Sequence, residues 1–199
     1  MINIDKINTT QRPYIIFKEL YLKTLGRSQK NINAIAVSSF NSKTKIVDSR
    51  FVNLKYINDE DWIFFTNLES PKAKQFRSFD QISVVLFWSS TNIQIRIKAK
   101  IKKTSKEIDN SHFLTRSKEK NALAISSNQS RQIDSFDAVK DNFEKSLKND
   151  DLKKCPNYWG GFAFTPYEIE FWQGNEFRLN KRDFYKKDGN TWNHFILQP

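Results

Sequence analysis

At 199 residues the chain suits one domain with a sizeable core. Hydrophobic residues make up 38% and aromatics 14%, with 17 phenylalanines, which excludes a disordered polymer. The net charge of +11 is spread along the whole chain, which disfavours a nucleic-acid stripe; most of the basic residues read as a solvated surface, with a few kept for anions.

No apolar run approaches the ~20 residues that span a bilayer, and the opening Met1-Ile2-Asn3-Ile4-Asp5-Lys6 has no hydrophobic signal core. Cys155 is the only cysteine, so no internal disulfide forms and a cytoplasmic setting is expected. Flanked by Lys153, Lys154 and Pro156, it reads as an exposed loop thiol and not as a nucleophile.

Pro13 opens a helix that carries Phe17, Leu20 and Tyr21 on one face and stops at Gly26. Strands follow over Ala34–Phe40 and Ile46–Ile57, with a turn at Asn41-Ser42-Lys43. After the polar turn 58–61 comes Trp62-Ile63-Phe64-Phe65-Thr66. Ser70-Pro71 then starts a helix, with serine as N-cap and proline in the first turn. The continuous apolar run Ile82–Trp88 predicts a buried strand. The next strand alternates: Ile93, Ile95, Ile97, Ala99 and Ile101 face one way, and Gln94, Arg96, Lys98 and Lys100 the other. Helices are expected between Ser105 and Ser127. Another starts at Ser135, with Val139, Phe143 and Leu147 on one face. Two strands close the chain, near Phe162–Trp172 and Trp192–Leu197. Early strands, late helices and returning strands imply an α+β fold built on a closed or half-closed antiparallel barrel.

Three of the five glycines lie in one stretch: Trp159-Gly160-Gly161-Phe162, Ile169-Glu170-Phe171-Trp172-Gln173-Gly174 and Arg178-Leu179-Asn180-Lys181-Arg182. Such a concentration points to backbone bends or close approach. This spacing strongly resembles the C-terminal signature of the pyridoxamine 5′-phosphate oxidase family. Arg50-Phe51-Val52-Asn53-Leu54-Lys55, Phe65-Thr66-Asn67, Ser70-Pro71-Lys72-Ala73, Gln94-Ile95-Arg96-Ile97 and Gln129-Ser130 resemble further family segments in the same order. The resemblance covers roughly residues 30–199. It implies a split β-barrel of Greek-key type with peripheral helices, working as a homodimer with FMN at the subunit interface. Residues 1–30 are then an N-terminal helical segment, and 31–199 the FMN-binding domain with its C-terminal dimerisation region.

By this resemblance FMN meets Arg50, Phe51, Val52, Asn53, Leu54, Lys55, Phe65, Thr66, Lys72 and Gln94, with Gln129, Ser130, Trp172 and Arg182 reaching it from the opposite subunit. The physics of several of these is independent of the match. Lys72 lies in the first turn of a helix, where free N–H groups and the dipole favour an anion. Arg50 offers a planar fork to phosphate oxygens, and the Gln94 amide can pair with a flavin ring. Read alone, Lys72 is a solvated lysine, Gln94 a surface glutamine and Trp172 a core aromatic. Arg50 and Lys55 have opposite parity on one strand and point apart unless a bulge intervenes.

The substrate side departs from the family. Its phosphate-binding lysine, tyrosine, arginine and serine correspond here to Lys55, His112, Arg116 and Lys120, a more cationic set that can still bind phosphate. The catalytic pair becomes Arg178 and Asn180, with asparagine where the family has histidine; asparagine does not titrate near neutral pH. Pro71 replaces an arginine and Phe65 a tyrosine. The leading reading is oxidation of pyridoxamine or pyridoxine 5′-phosphate to pyridoxal 5′-phosphate, with hydride passing from C4′ to the flavin and oxygen as acceptor. Two alternatives stand beside it: an FMN-binding paralogue acting on another small anion, favoured by Asn180 and Lys181, and a non-catalytic basic module for nucleic acid.

Overall fold

A computed structural model describes Ile2, Ile7 and residues 10–199. The elements in chain order are α1 (Arg12–Leu25), β1 (Ala34–Phe40), β2 (Val47–Asn58), β3 (Asp61–Asn67), α2 (Pro71–Ser78), β4 (Gln81–Trp88), β5 (Ile93–Lys103), α3 (Lys106–Leu114), α4 (Lys118–Ser126), α5 (Phe136–Asn149), β6 (Trp159–Gln173), β7 (Lys181–Asp188) and β8 (Thr191–Ile196).

Strands pair in the order β3-β2-β1-β4-β5-β6, and β6 returns to β3, which closes a six-stranded antiparallel barrel. The order β4-β1-β2-β3 is the Greek key expected from the sequence. Alternation drives the closure. On β5, Ile93, Ile95, Ile97, Ala99 and Ile101 are buried while Arg96, Lys98 and Lys100 face solvent.

The split in the barrel lies in β6, which is 15 residues long. Its first part, Trp159–Phe164, pairs with β3, and its last part, Glu168–Gln173, pairs with β7. Pro166 sits between the two pairings, opposite a register shift in β5 between Lys98 and Ala99. A residue with no N–H to donate is tolerated where a strand changes partners. β7 and β8 continue outward from there as a ribbon.

α1 places Tyr14, Phe17 and Tyr21 in the same core as Trp62, Phe64, Trp88 and Phe164. Phe17 lies edge-on to Trp62 at 4.5 Å between ring centroids. The described part of segment 1–30 is therefore built into the barrel; Met1, residues 3–6, Asn8 and Thr9 lie outside the described residues.

Three local expectations are corrected. β4 is buried on one face only: Phe87 is 56% exposed despite the apolar run around it. Ser70 occupies the N-cap of α2, but its hydroxyl donates to the Asn67 carbonyl at 2.7 Å and caps no helical N–H. Cys155 is half-buried, not exposed, with its thiol 3.7 Å from the Pro156 and Trp159 carbonyls; burial raises its pKa, which keeps it a thiol.

Candidate functional site

β2 carries the first wall of the site. Leu54 points into the core and is fully buried, and its N–H donates to the Asn33 carbonyl. The ladder with β3 then slips: Leu54 faces Phe64, while Tyr56 faces Ile63. Lys55 is the extra residue of this bulge. Arg50 and Lys55 line one cavity of about 820 Å³ together with Phe51, Val52 and Asn53, so residues of both parities on β2 reach it. Leu54 is the exception among the expected flavin contacts on β2: its side chain belongs to the core.

Among the described residues the cavity is lined by five cations, Arg50, Lys55, Lys72, Arg116 and Lys120, and by no carboxylate. They fall into two groups. In the first, Lys72 is 8% exposed and donates to Gln129 Oε1 at 2.9 Å and to Ser70 Oγ at 3.3 Å. Among the described residues no carboxylate forms an ion pair with it. Burial, and then Arg50, pushes its pKa down to about 8. Arg50 is held by Ser39 Oγ at 2.5 Å and the Val37 carbonyl at 3.4 Å, with Asp48 only at 3.9 Å. Thr66 also donates to Gln129 Oε1, at 3.0 Å, so Gln129 and Ser130 line the cavity beside Lys72 of their own chain.

The second group comprises Lys55, Arg116 and Lys120. Burial, then Lys120 and Arg116, lowers the Lys55 pKa. His112 lies among them, stacked 3.9 Å from the Phe65 ring. Burial, then Arg116 and Lys55, brings its pKa to about 4, so the imidazole is neutral. The Arg116 guanidinium lies 4.5 Å from the centre of the Trp159 ring. Trp159 and Tyr56 are the contributors that sequence reasoning left out. The signal for Trp159 was its place before two glycines; for Tyr56 only the bulge reveals it.

The two glycines are explained by packing. The buried Asp109 carboxylate accepts from the Gly161 N–H at 2.7 Å and from Thr104 Oγ1 at 2.5 Å. A Cβ on Gly160 would collide with this carboxylate, and one on Gly161 would lie 2.6 Å from Thr104 Oγ1 and 2.9 Å from the Phe65 ring. Close approach, and not a turn, is what requires glycine at both positions.

The remaining expected site residues lie outside this cavity. Gln94, Trp172 and Arg182 are direct neighbours across β5, β6 and β7, on the outer face of the sheet, and Phe87 of β4 extends the row. Arg182 pairs with Glu170 at 2.7 Å. Arg178 and Asn180 sit on the projecting loop between β6 and β7, where Phe177 and Arg178 both have positive φ and Phe177 is 90% exposed. Asn180 Oδ1 accepts from the Asn175 N–H at 3.3 Å. The structure thus divides the expected site into a cavity half and an outer-face half.

Fold and site together define a split β-barrel protein with a strongly cationic cavity. Residues 30–149 match the family profile described as pyridoxamine 5′-phosphate oxidase, and residues 159–199 match that of the pyridoxine 5′-phosphate oxidase C-terminal dimerisation region. A pyridoxine/pyridoxamine 5′-phosphate oxidase of Leptospira interrogans is 30% identical over 190 residues, covering 94% of this chain and 88% of that protein. One from Rhodopirellula baltica is 35% identical over 175 residues, covering 83% and 75%. Among solved structures, PhzG from Burkholderia lata in complex with tetrahydrophenazine-1-carboxylic acid superposes with a TM-score of 0.90 at 24% identity, over 98% of this chain and 96% of that one. The chain belongs to the pyridoxamine 5′-phosphate oxidase family, and that membership supports an FMN-binding oxidoreductase.

Proposed function

We propose that this protein is an FMN-dependent oxidase that converts pyridoxamine or pyridoxine 5′-phosphate to pyridoxal 5′-phosphate with oxygen as electron acceptor. The observation that carries this reading is the cavity with two cation groups and, among the described residues, no carboxylate. One group suits the phosphate of a cofactor, the other the phosphate of a substrate. The buried Lys72 ammonium, unpaired with any acid, fits a bound phosphate dianion. Arg50 and Lys72 would hold it, with Gln129 and Thr66 as polar neighbours. Lys55, Arg116 and Lys120 would hold the substrate phosphate. Bound FMN would supply the redox chemistry by accepting the two electrons removed with the C4′ hydrogen.

The outer-face half of the site completes a partner's cavity in this reading, within a homodimer. The matched C-terminal region is a dimerisation region, and Phe87, Phe177 and Leu179 are left exposed near it, at 56%, 90% and 69%. Trp172, Arg182 and Gln94 would then border the flavin. Arg178 would lie over the substrate ring. Asn180 can orient the substrate by a hydrogen bond but holds no proton to exchange near neutral pH.

Asn180 and the extra cation Lys120 also favour a second reading, a relative acting on a different small anion. The same fold in PhzG is in complex with a carboxylic acid, so the fold alone does not restrict the ligand to phosphates. The deciding experiment is anaerobic. Protein loaded with FMN is mixed separately with pyridoxamine and pyridoxine 5′-phosphate, and flavin absorbance is followed. Bleaching with formation of pyridoxal phosphate is the expected result. Flavin that binds and stays oxidised with both compounds would overturn the oxidase reading and leave the second.

A further inference from the structure

The phenol of Tyr56 and Nδ1 of His112 lie 2.7 Å apart, with the rings perpendicular at 89°. Phe65 stacks on the other side of the imidazole at 3.9 Å and 17°. The bulge at Lys55 creates this pair: Leu54 and Ile57 both enter the core, so Tyr56 is turned out of it, toward His112. His112 lines the cavity. Its Nδ1 is occupied, which leaves Nε2 as the nitrogen available to a ligand.

We propose that Tyr56 is a positioning residue that fixes His112 as a neutral Nε2–H donor to the anionic group of the substrate. This rests on the assignment of the Lys55–Arg116–Lys120 group as the substrate's anion site. The groups facing the imidazole are Lys55 and Tyr56 from β2 and Arg116 after α3, with Phe65 and Trp159 as apolar walls and Lys120 of α4 elsewhere on the cavity lining; among the described residues no carboxylate lines the cavity. A proton added to the buried ring would meet two cations, Arg116 and Lys55, so the ring stays neutral. A neutral ring has two tautomers. With the proton on Nδ1, the Nε2 lone pair would face the incoming anion and repel it. With Tyr56 donating to Nδ1, the proton sits on Nε2 and meets the anion as a donor. The site then combines three fixed cations with one neutral directional donor.

The test exploits the chain's two histidines, His112 and His194. Side-chain nitrogen NMR on FMN-loaded protein, with His194→Gln for assignment, reads the His112 tautomer directly at neutral pH. Inorganic phosphate is then titrated, with FMN already filling the cofactor site. The expected wild-type result is an Nε2–H tautomer whose signal shifts on phosphate addition. Tyr56→Phe keeps the ring packing; it should release the tautomer preference and weaken phosphate binding roughly tenfold, as loss of one hydrogen bond to a charged group does. His112→Phe keeps the stack on Phe65 and should weaken phosphate equally. A protonated ring or an Nδ1–H tautomer in the wild type would overturn the proposal. So would phosphate affinity unchanged in both variants. If wild-type protein binds no phosphate, the anion-site assignment itself fails, and the proposal falls with it, whichever tautomer the spectrum shows.

Discussion

Burying the Lys72 ammonium without a carboxylate costs free energy that a bound anion offsets. Two outcomes follow from that one side chain. Lys72→Met should weaken FMN binding by about tenfold or more, measured by fluorescence titration. The second concerns the ligand-free protein. The folded pKa, about 8, lies below the ~10.4 of a free lysine, so the unfolded chain binds this proton more tightly. Relative to Lys72→Met, wild-type stability should therefore rise as pH increases from about 8 to ~10 and stay at its lower level below that window, as read by urea denaturation. At Gly161 the expectation is steric: Gly161→Ala should cost about 1–3 kcal/mol in thermal or urea unfolding, because the new methyl meets Thr104 and Phe65. Site residues of this kind were legible only through the family spacing. Composition alone reads Lys72 as a solvated lysine, since its burial depends on Gln129, a residue far along the chain.

Among the elements, α4 is tied to the segments on either side of it by a buried amide. Asn121 donates from Nδ2 to the Phe113 carbonyl at 3.0 Å and to the Leu152 carbonyl at 2.9 Å. Asn121→Ala should remove both bonds, leaving the Phe113 carbonyl only the Arg116 N–H, lower stability by about 1–3 kcal/mol and loosen Lys120 and with it phosphate affinity. Denaturation and phosphate titration check the two parts separately. Elements with strong alternation were readable in advance: β5 is as its pattern dictates. β7 was missed because its sequence, Lys-Arg-Asp-Phe-Tyr-Lys-Lys-Asp, buries only Tyr185 and satisfies its charges in pairs such as Lys181–Asp183 at 2.8 Å. It is held by pairing to β6 and β8, not by an apolar face. The bulge in β2 was also invisible, since nothing in Leu54-Lys55-Tyr56 announces where the ladder slips. β4 misled in the opposite direction, because a continuous apolar run describes a strand buried on both faces just as well as one whose outer face awaits a partner.

On the scale of the whole molecule, the site residues found by motif divide between a cavity and an outer face, and no local pattern encodes that separation. The dimer reading makes it testable. Phe87→Lys, placed at the end of the Gln94–Trp172–Arg182 row, should shift the protein toward monomer in sedimentation and reduce FMN retention together. The strand that closes the barrel has a consequence for how the protein is made. β3 and β6 meet through Trp62 and Phe164, partners far apart in sequence. During synthesis the ribosome must therefore release most of the chain before the barrel can shut. Until then β3 has a bare edge beside Trp62 and Phe64, the feature that makes nascent β-proteins aggregate and depend on chaperones. Trp159, which walls the cavity, arrives with that same closing strand. A chain truncated before β6 would lack both the closure of the barrel and the Trp159 wall of the cavity, and should yield aggregation-prone fragments.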